Sequence, residues 1–127
     1  MPERGEVPQG TALSEFVDAA TAYVQEKRHW LKREFGTDDY GVQGAVIVGS
    51  VAAGTERPDS DVDVYVIADD ESDVDDFVDG VEQKIERVVD LIGVIHLSRG
   101  EVFRSEDWSN LLEEKGYYST ESHHLQL

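Results

Sequence analysis

One segment restricts this chain more than any other. The apolar run Gly44 to Val48 leads into Gly49-Ser50, and ten intervening residues separate Ser50 from Asp61-Val62-Asp63, which opens a second run, DVDVYVIA. Short β-branched runs of this kind suit strands buried on both faces. Gly49 breaks the first run, Ser50 to Gly54 is small enough to begin a short helix, and Thr55 to Ser60 reads as a polar, proline-containing loop. If the two strands are neighbours, the Gly-Ser turn and the aspartate pair meet in space. Gly49 allows a sharp turn and close approach of a phosphate, and Ser50 offers a hydroxyl at a helix start, where unpaired N–H groups attract anions. Asp61 and Asp63, two apart in an expected strand at 61–68, project from the same side of the sheet. Two carboxylates held together repel unless a cation lies between them. Mg²⁺ suits that position, because it takes hard oxygen ligands from one or two carboxylates and from substrate phosphates.

The rest of the chain frames this segment. Residues 1–10 carry two prolines and two glycines with no apolar period and read as a flexible lead-in. From Leu13 to Phe35 the apolar residues recur at helical spacing, with Ser14 a candidate cap and Gly36 a stop. The stripe Phe16, Tyr23, Trp30 is assigned to the core. Asp69 to Asp76 reads as an acidic loop or helix entry, and Val74, Phe77, Val78, Val81 and Ile85 continue as a helical stripe. Val88 to Leu97 is expected as a third strand, Arg104 to Lys115 as a last helix capped by Ser105 and stopped by Gly116, and 117–127 as a frayed tail. One domain spanning 11–116 follows, because 127 residues support one apolar core.

Composition closes several functional branches. The chain has no cysteine, which excludes disulfide scaffolds, zinc knuckles and thiol nucleophiles. No apolar run approaches the roughly 18 residues of a membrane span, and no signal peptide is readable, so no membrane partner and a cytoplasmic location are expected. With 28 Asp and Glu against 11 Lys and Arg, the net charge is -17. That balance disfavours direct nucleic-acid binding, which relies on an excess of Lys and Arg to release counterions. Most of the acid is expected as a solvated surface, as in salt-loving organisms, with a basic protein partner as the alternative.

A third carboxylate is needed to hold a second metal or to deprotonate an acceptor. Asp90, expected inside the third strand between Val89 and Leu91, is the candidate, since an acid in an apolar strand is costly unless partnered. The alternative is that the strand begins one residue later and leaves Asp90 exposed. Two other readings of the aspartates are weaker. Asp59, Asp61 and Asp63 match the first ligand spacings of a calcium loop, but its glycine is replaced by Val64 and its final glutamate by Asp70. Ordinary acidic surface would leave the spacing from Gly49-Ser50 a coincidence. His96 reads as a packed or edge residue, His123 and His124 lack a spaced partner for metal binding, and Tyr117-Tyr118 is a core edge or an acceptor for self-modification.

The segment GSVAAGTERPDSDVDVYVI resembles the Gly-Ser, ten residues, Asp-x-Asp signature of the minimal nucleotidyltransferases, within the polymerase-beta-like superfamily. The likeness extends to Gly54 and Ser60 and covers Gly44 to about Leu97. It implies an α/β nucleotidyltransferase fold, a small mixed β-sheet flanked by α-helices. It also implies that Asp61, Asp63 and Asp90 bind Mg²⁺ and carry catalysis, while Gly49 and Ser50 contact the phosphates of a nucleoside triphosphate, with ATP expected. The implied reaction is in-line attack of an acceptor hydroxyl on the α-phosphate with departure of pyrophosphate. Many members of the group carry an arginine directly before the second glycine, where this chain has Ala53; Arg57 is the nearest stand-in. A chain of this size is not expected to include the helical domain with which larger relatives bind tRNA or aminoglycosides. The resemblance then suggests an antitoxin that transfers AMP to a tyrosine of a helical HEPN-type RNase toxin. The competing expectation, favoured by Ala53, is a non-catalytic binding module that neutralises a partner by contact.

Overall fold

The computed structural model describes residues 11–97 and 123–127. The elements run α1 (Thr11–Phe35), β1 (Val42–Val48), α2 (Gly49–Ala53), β2 (Val62–Ala68), a short 3₁₀ turn (Glu71–Asp73), α3 (Val74–Ile85), β3 (Val89–His96) and β4 (His123–Gln126). The four strands form one sheet in the order β3-β2-β1-β4. β1 lies antiparallel to both β2 and β4, and β2 lies parallel to β3, with α3 making the crossover that a parallel pair requires. The expected small mixed sheet flanked by helices is what the chain forms.

Helix α1 starts two residues earlier than its apolar stripe and places Ser14 inside the helix, so Ser14 is not the cap. The start at Thr11 is held from a distance instead: the buried Glu56 carboxylate accepts the Ala12 N–H at 3.2 Å. At the other end Gly36 takes a left-handed backbone, φ 73°, and its N–H returns to the Lys32 carbonyl at 3.0 Å. Lys32 and Arg33 in the last turn complement the helix dipole.

Phe16, Ala20 and Val24 of α1 and Phe77 and Val81 of α3 pack on one face of the sheet, against Val42, Ala45, Ile47, Val62, Val64 and Val66. Val42 and Ala45 share that face because a bulge between Val42 and Gly44 shifts the alternation of β1 by one residue. The opposite face holds a smaller buried cluster of Val46, Ile67, Ile95 and Leu97. Both runs expected as two-faced strands are therefore apolar on two sides for a reason. Trp30 departs from expectation: it is 42% exposed and edge-on to Phe35 near the end of α1, while its neighbour Leu31 packs against the core. The frayed tail is corrected as well, since His123 to Gln126 pair with Gly44 to Ile47. The lead-in at 1–10, the helix expected at 104–115 and Tyr117-Tyr118 lie outside the described residues. Among the described residues no helix is long and apolar enough to cross a membrane.

Candidate active site

Two strands carry Asp63 and Asp90, and a third ends beside them in the Gly49-Ser50 turn. The antiparallel register sets Val48 opposite Asp63, and the parallel register sets Asp63 beside Asp90. Val48, Asp63 and Asp90 thus form one cross-strand row, and Gly49-Ser50 leaves the sheet at the end of that row as the first turn of α2. Side chains directly across a ladder point to the same face, so the register alone brings Asp63 and Asp90 together.

Gly49 is fixed here by two constraints. Its φ is +73°, in the left-handed region, and a Cβ placed on it would lie 2.9 Å from Oδ2 of Asp63. The turn therefore passes against the Asp63 carboxylate itself, which only glycine permits. Val51 anchors α2 in the core, and Gly54, also left-handed, closes the helix through its N–H to the Val51 carbonyl at 3.2 Å. Ala53, where the family resemblance leads one to expect an arginine, is exposed at the end of α2. Arg57 is exposed in the following loop; its backbone N–H is held by Ser60 Oγ at 2.8 Å.

Asp61 and Asp90 sit differently from expectation. Asp61 lies one residue before β2 rather than inside it, and is exposed. Asp90 is the second residue of β3 and exposed, so burial in an apolar strand is not what constrains it; its partner in the register is Asp63. Burial first, then repulsion from Asp90 and Asp61, pushes the Asp63 carboxyl above its ordinary range. Among the described residues no donor is hydrogen-bonded to the carboxylate of any of the three aspartates, and no three His, Asp or Glu side chains converge as a ready-made metal cage. His96 pairs with Glu71 at 3.7 Å, and His123 and His124 belong to β4, two strands away from Asp63.

Sequence reasoning missed Glu56. Its position in the middle of a polar loop gave no sign that it is buried, yet it ties the loop between Gly54 and Asp61 to the start of α1. The one available signal was a missing cap, since neither Thr11 nor Ser14 is followed three residues later by Glu or Gln in a capping box.

Neither a curated protein nor a solved structure matches the chain. A family model described as nucleotidyltransferase domain matches residues 28–114. That span is more than half of the chain and contains the Gly49-Ser50 turn together with Asp61, Asp63 and Asp90, and on this match the chain belongs to the nucleotidyltransferase domain family.

Proposed function

We propose that this nucleotidyltransferase domain is a cytoplasmic, Mg²⁺-dependent adenylyltransferase that moves AMP from ATP to a tyrosine of a helical HEPN-type toxin and so acts as its antitoxin. The observation that carries the catalytic part is the row Val48, Asp63, Asp90, with the Gly49 turn running against the Asp63 carboxylate. The choice of ATP, toxin and tyrosine rests on the resemblance of the GSVAAGTERPDSDVDVYVI segment to the minimal nucleotidyltransferases.

The residues present fit a magnesium ion. They offer hard carboxylate oxygens whose mutual repulsion a cation would relieve, beside a glycine cradle that a side chain would fill. A complete protein cage is not required, because Mg²⁺ commonly takes one or two carboxylates and completes its shell with water and substrate phosphates. In this reading Asp61 and Asp63 would hold the ion, with Asp90 as the third acid of the site. When bound, it would neutralise phosphate charge and polarise the α-phosphate. Gly49 lets the triphosphate approach the backbone, and the Ser50 hydroxyl and the first N–H groups of α2 orient it. A carboxylate oxygen of Asp90 accepts the proton of the acceptor hydroxyl as the hydroxyl oxygen bonds to the α-phosphorus. The bond from the α-phosphorus to the bridging oxygen breaks, and pyrophosphate leaves. Asp90 is exposed on an edge strand of the described sheet, between Val88 at 55% and Ile92 at 46% exposure. An open apolar border of this kind favours a protein acceptor over a sugar or a nucleic acid.

The test is incubation of the purified protein with α-labelled ATP, Mg²⁺ and the product of the adjacent gene. Label on a partner tyrosine is expected, and an active partner left unlabelled would overturn transfer. Ala53 favours the second reading, contact-only neutralisation, because no cation stands there to steady the phosphates. Neutralisation that persists in an Asp61→Asn, Asp63→Asn double variant would establish that reading instead.

A further inference from the structure

Asp61 precedes β2 and so lacks the ladder that orients Asp63 and Asp90. Its position must come from the loop that leads to it. That loop is closed as a turn: the Ser60 N–H reaches the Arg57 carbonyl at 3.0 Å, and the Arg57 N–H reaches Ser60 Oγ at 2.8 Å. Across the neck of this turn lies one guanidinium. Nη1 of Arg87 donates to the Ser60 carbonyl at 2.8 Å and to the Arg57 carbonyl at 3.1 Å. On the other side of Asp61, the Val62 N–H donates to the Val88 carbonyl at 2.9 Å. Asp61 is thus flanked on both sides by contacts to two consecutive residues, Arg87 and Val88, at the junction of α3 and β3.

The junction is itself held. Glu86 adopts a left-handed backbone, φ 54°, with its N–H on the Glu82 carbonyl at 3.0 Å, and the Glu82 carboxylate accepts the Val89 N–H at 2.9 Å. A non-glycine residue in that conformation persists only where its surroundings hold it there. The turn it makes aims Arg87 back across the sheet edge at a loop 27 residues earlier in sequence. A half-buried guanidinium shared between two backbone carbonyls has no anionic partner in these contacts. The carbonyl of Ser60 that it holds belongs to the residue directly before Asp61.

We propose that Arg87 is a positioning residue that clamps the 57–60 turn and so sets the Asp61 carboxylate beside Asp63 for the cation. The proposal rests on the reading of Asp61 as a magnesium ligand. The experiment compares the full chain with Arg87→Ala and Arg87→Lys by Mn²⁺ titration followed by electron paramagnetic resonance, and by amide hydrogen exchange. Arg87→Ala is expected to bind Mn²⁺ about tenfold more weakly, the range for losing a group that orients a ligand. Exchange at residues 60–62 should quicken while that of the α1 and α3 core stays unchanged, and Arg87→Lys should recover part of both effects. Wild-type Mn²⁺ affinity in Arg87→Ala overturns the clamp, as does faster exchange spread evenly over the chain. A wild-type protein that binds no Mn²⁺, even with ATP present, instead overturns the metal reading; the exchange at 60–62 then still decides whether Arg87 holds the turn.

Discussion

Two groups of acids in this chain share a residue type and little else. Asp73 and Asp76, at the start of α3, are fully engaged: the Asp73 carboxylate accepts the Gly41 N–H at 2.7 Å, and Asp76 accepts the hydroxyls of Tyr40 at 2.8 Å and Tyr23 at 2.9 Å, with Lys27 at 3.4 Å. Burial alone would raise the Asp76 carboxyl, but the two phenols and the lysine outweigh it and hold it low. The carboxylates of Asp61 and Asp90 are exposed, and burial together with repulsion from these two pushes the Asp63 carboxyl up. The first group staples α1, β1 and α3 together; the second leaves repulsion unrelieved until something positive arrives. In a chain of charge -17, the distinction between acid that holds the fold and acid set aside for a ligand lies in the partners.

The largest expected effect separates the two groups by activity. Asp63→Asn should lower nucleotidyl transfer by about a thousandfold, corresponding to a loss of several kcal/mol of metal-supplied stabilisation, while leaving the fold intact. Asp76→Asn should leave the chemical step nearly unchanged. Steady-state transfer rates on both variants check this, and equal losses would erase the contrast.

Two glycines test the geometry beside each group. A Cβ on Gly80 would fall 2.0 Å from the Tyr23 ring, so Gly80→Ala should drive α1 and α3 apart and cost about 2–3 kcal/mol in urea unfolding. Gly49→Ala should cost about 1–2 kcal/mol for its left-handed backbone and abolish most transfer, because the new methyl displaces Asp63. Tyr40→Phe removes a hydroxyl from Asp76 and should cost about 1 kcal/mol, discounted for a partly exposed network.

The smallest effect has opposite sign for the two groups. Because the folded chain raises the Asp63 carboxyl, it binds a proton over a window in which the unfolded chain has lost it. Stability is therefore lost as pH rises from the ordinary aspartate range through the raised value. Without divalent ions Asp63→Asn should raise Tm at pH 7 by about 1–2 °C, with the gain vanishing in acid. Asp76 contributes the reverse: its stabilisation is present above the ordinary range and is lost as pH falls through its lowered value, so Asp76→Asn should lower Tm at pH 7. Thermal scans from pH 3 to 8 read both.

Local pattern carried much of the architecture. The β-branched runs read at 44–48 and 61–68, which form strands over 42–48 and 62–68, and the helical stripe at 74–85 were legible because each buries apolar side chains at its own period. Ser14, Trp30 and the tail were misread for a common reason. A cap supplied by Glu56 from another element, a helix face that turns Leu31 rather than Trp30 to the core, and a short strand of polar character beside β1 are all decided by neighbours far along the chain.

The sequence by itself determined that a glycine-serine turn and two aspartates stand at a fixed separation around a loop, because spacing and period are properties of the chain alone. Only the tertiary structure decided that Asp63 and Asp90 share a row, that Gly49 touches the first of them, and that Arg87 closes the turn before Asp61. Register, close approach and clamp are set by strand pairing and packing across tens of residues, and no local pattern encodes them.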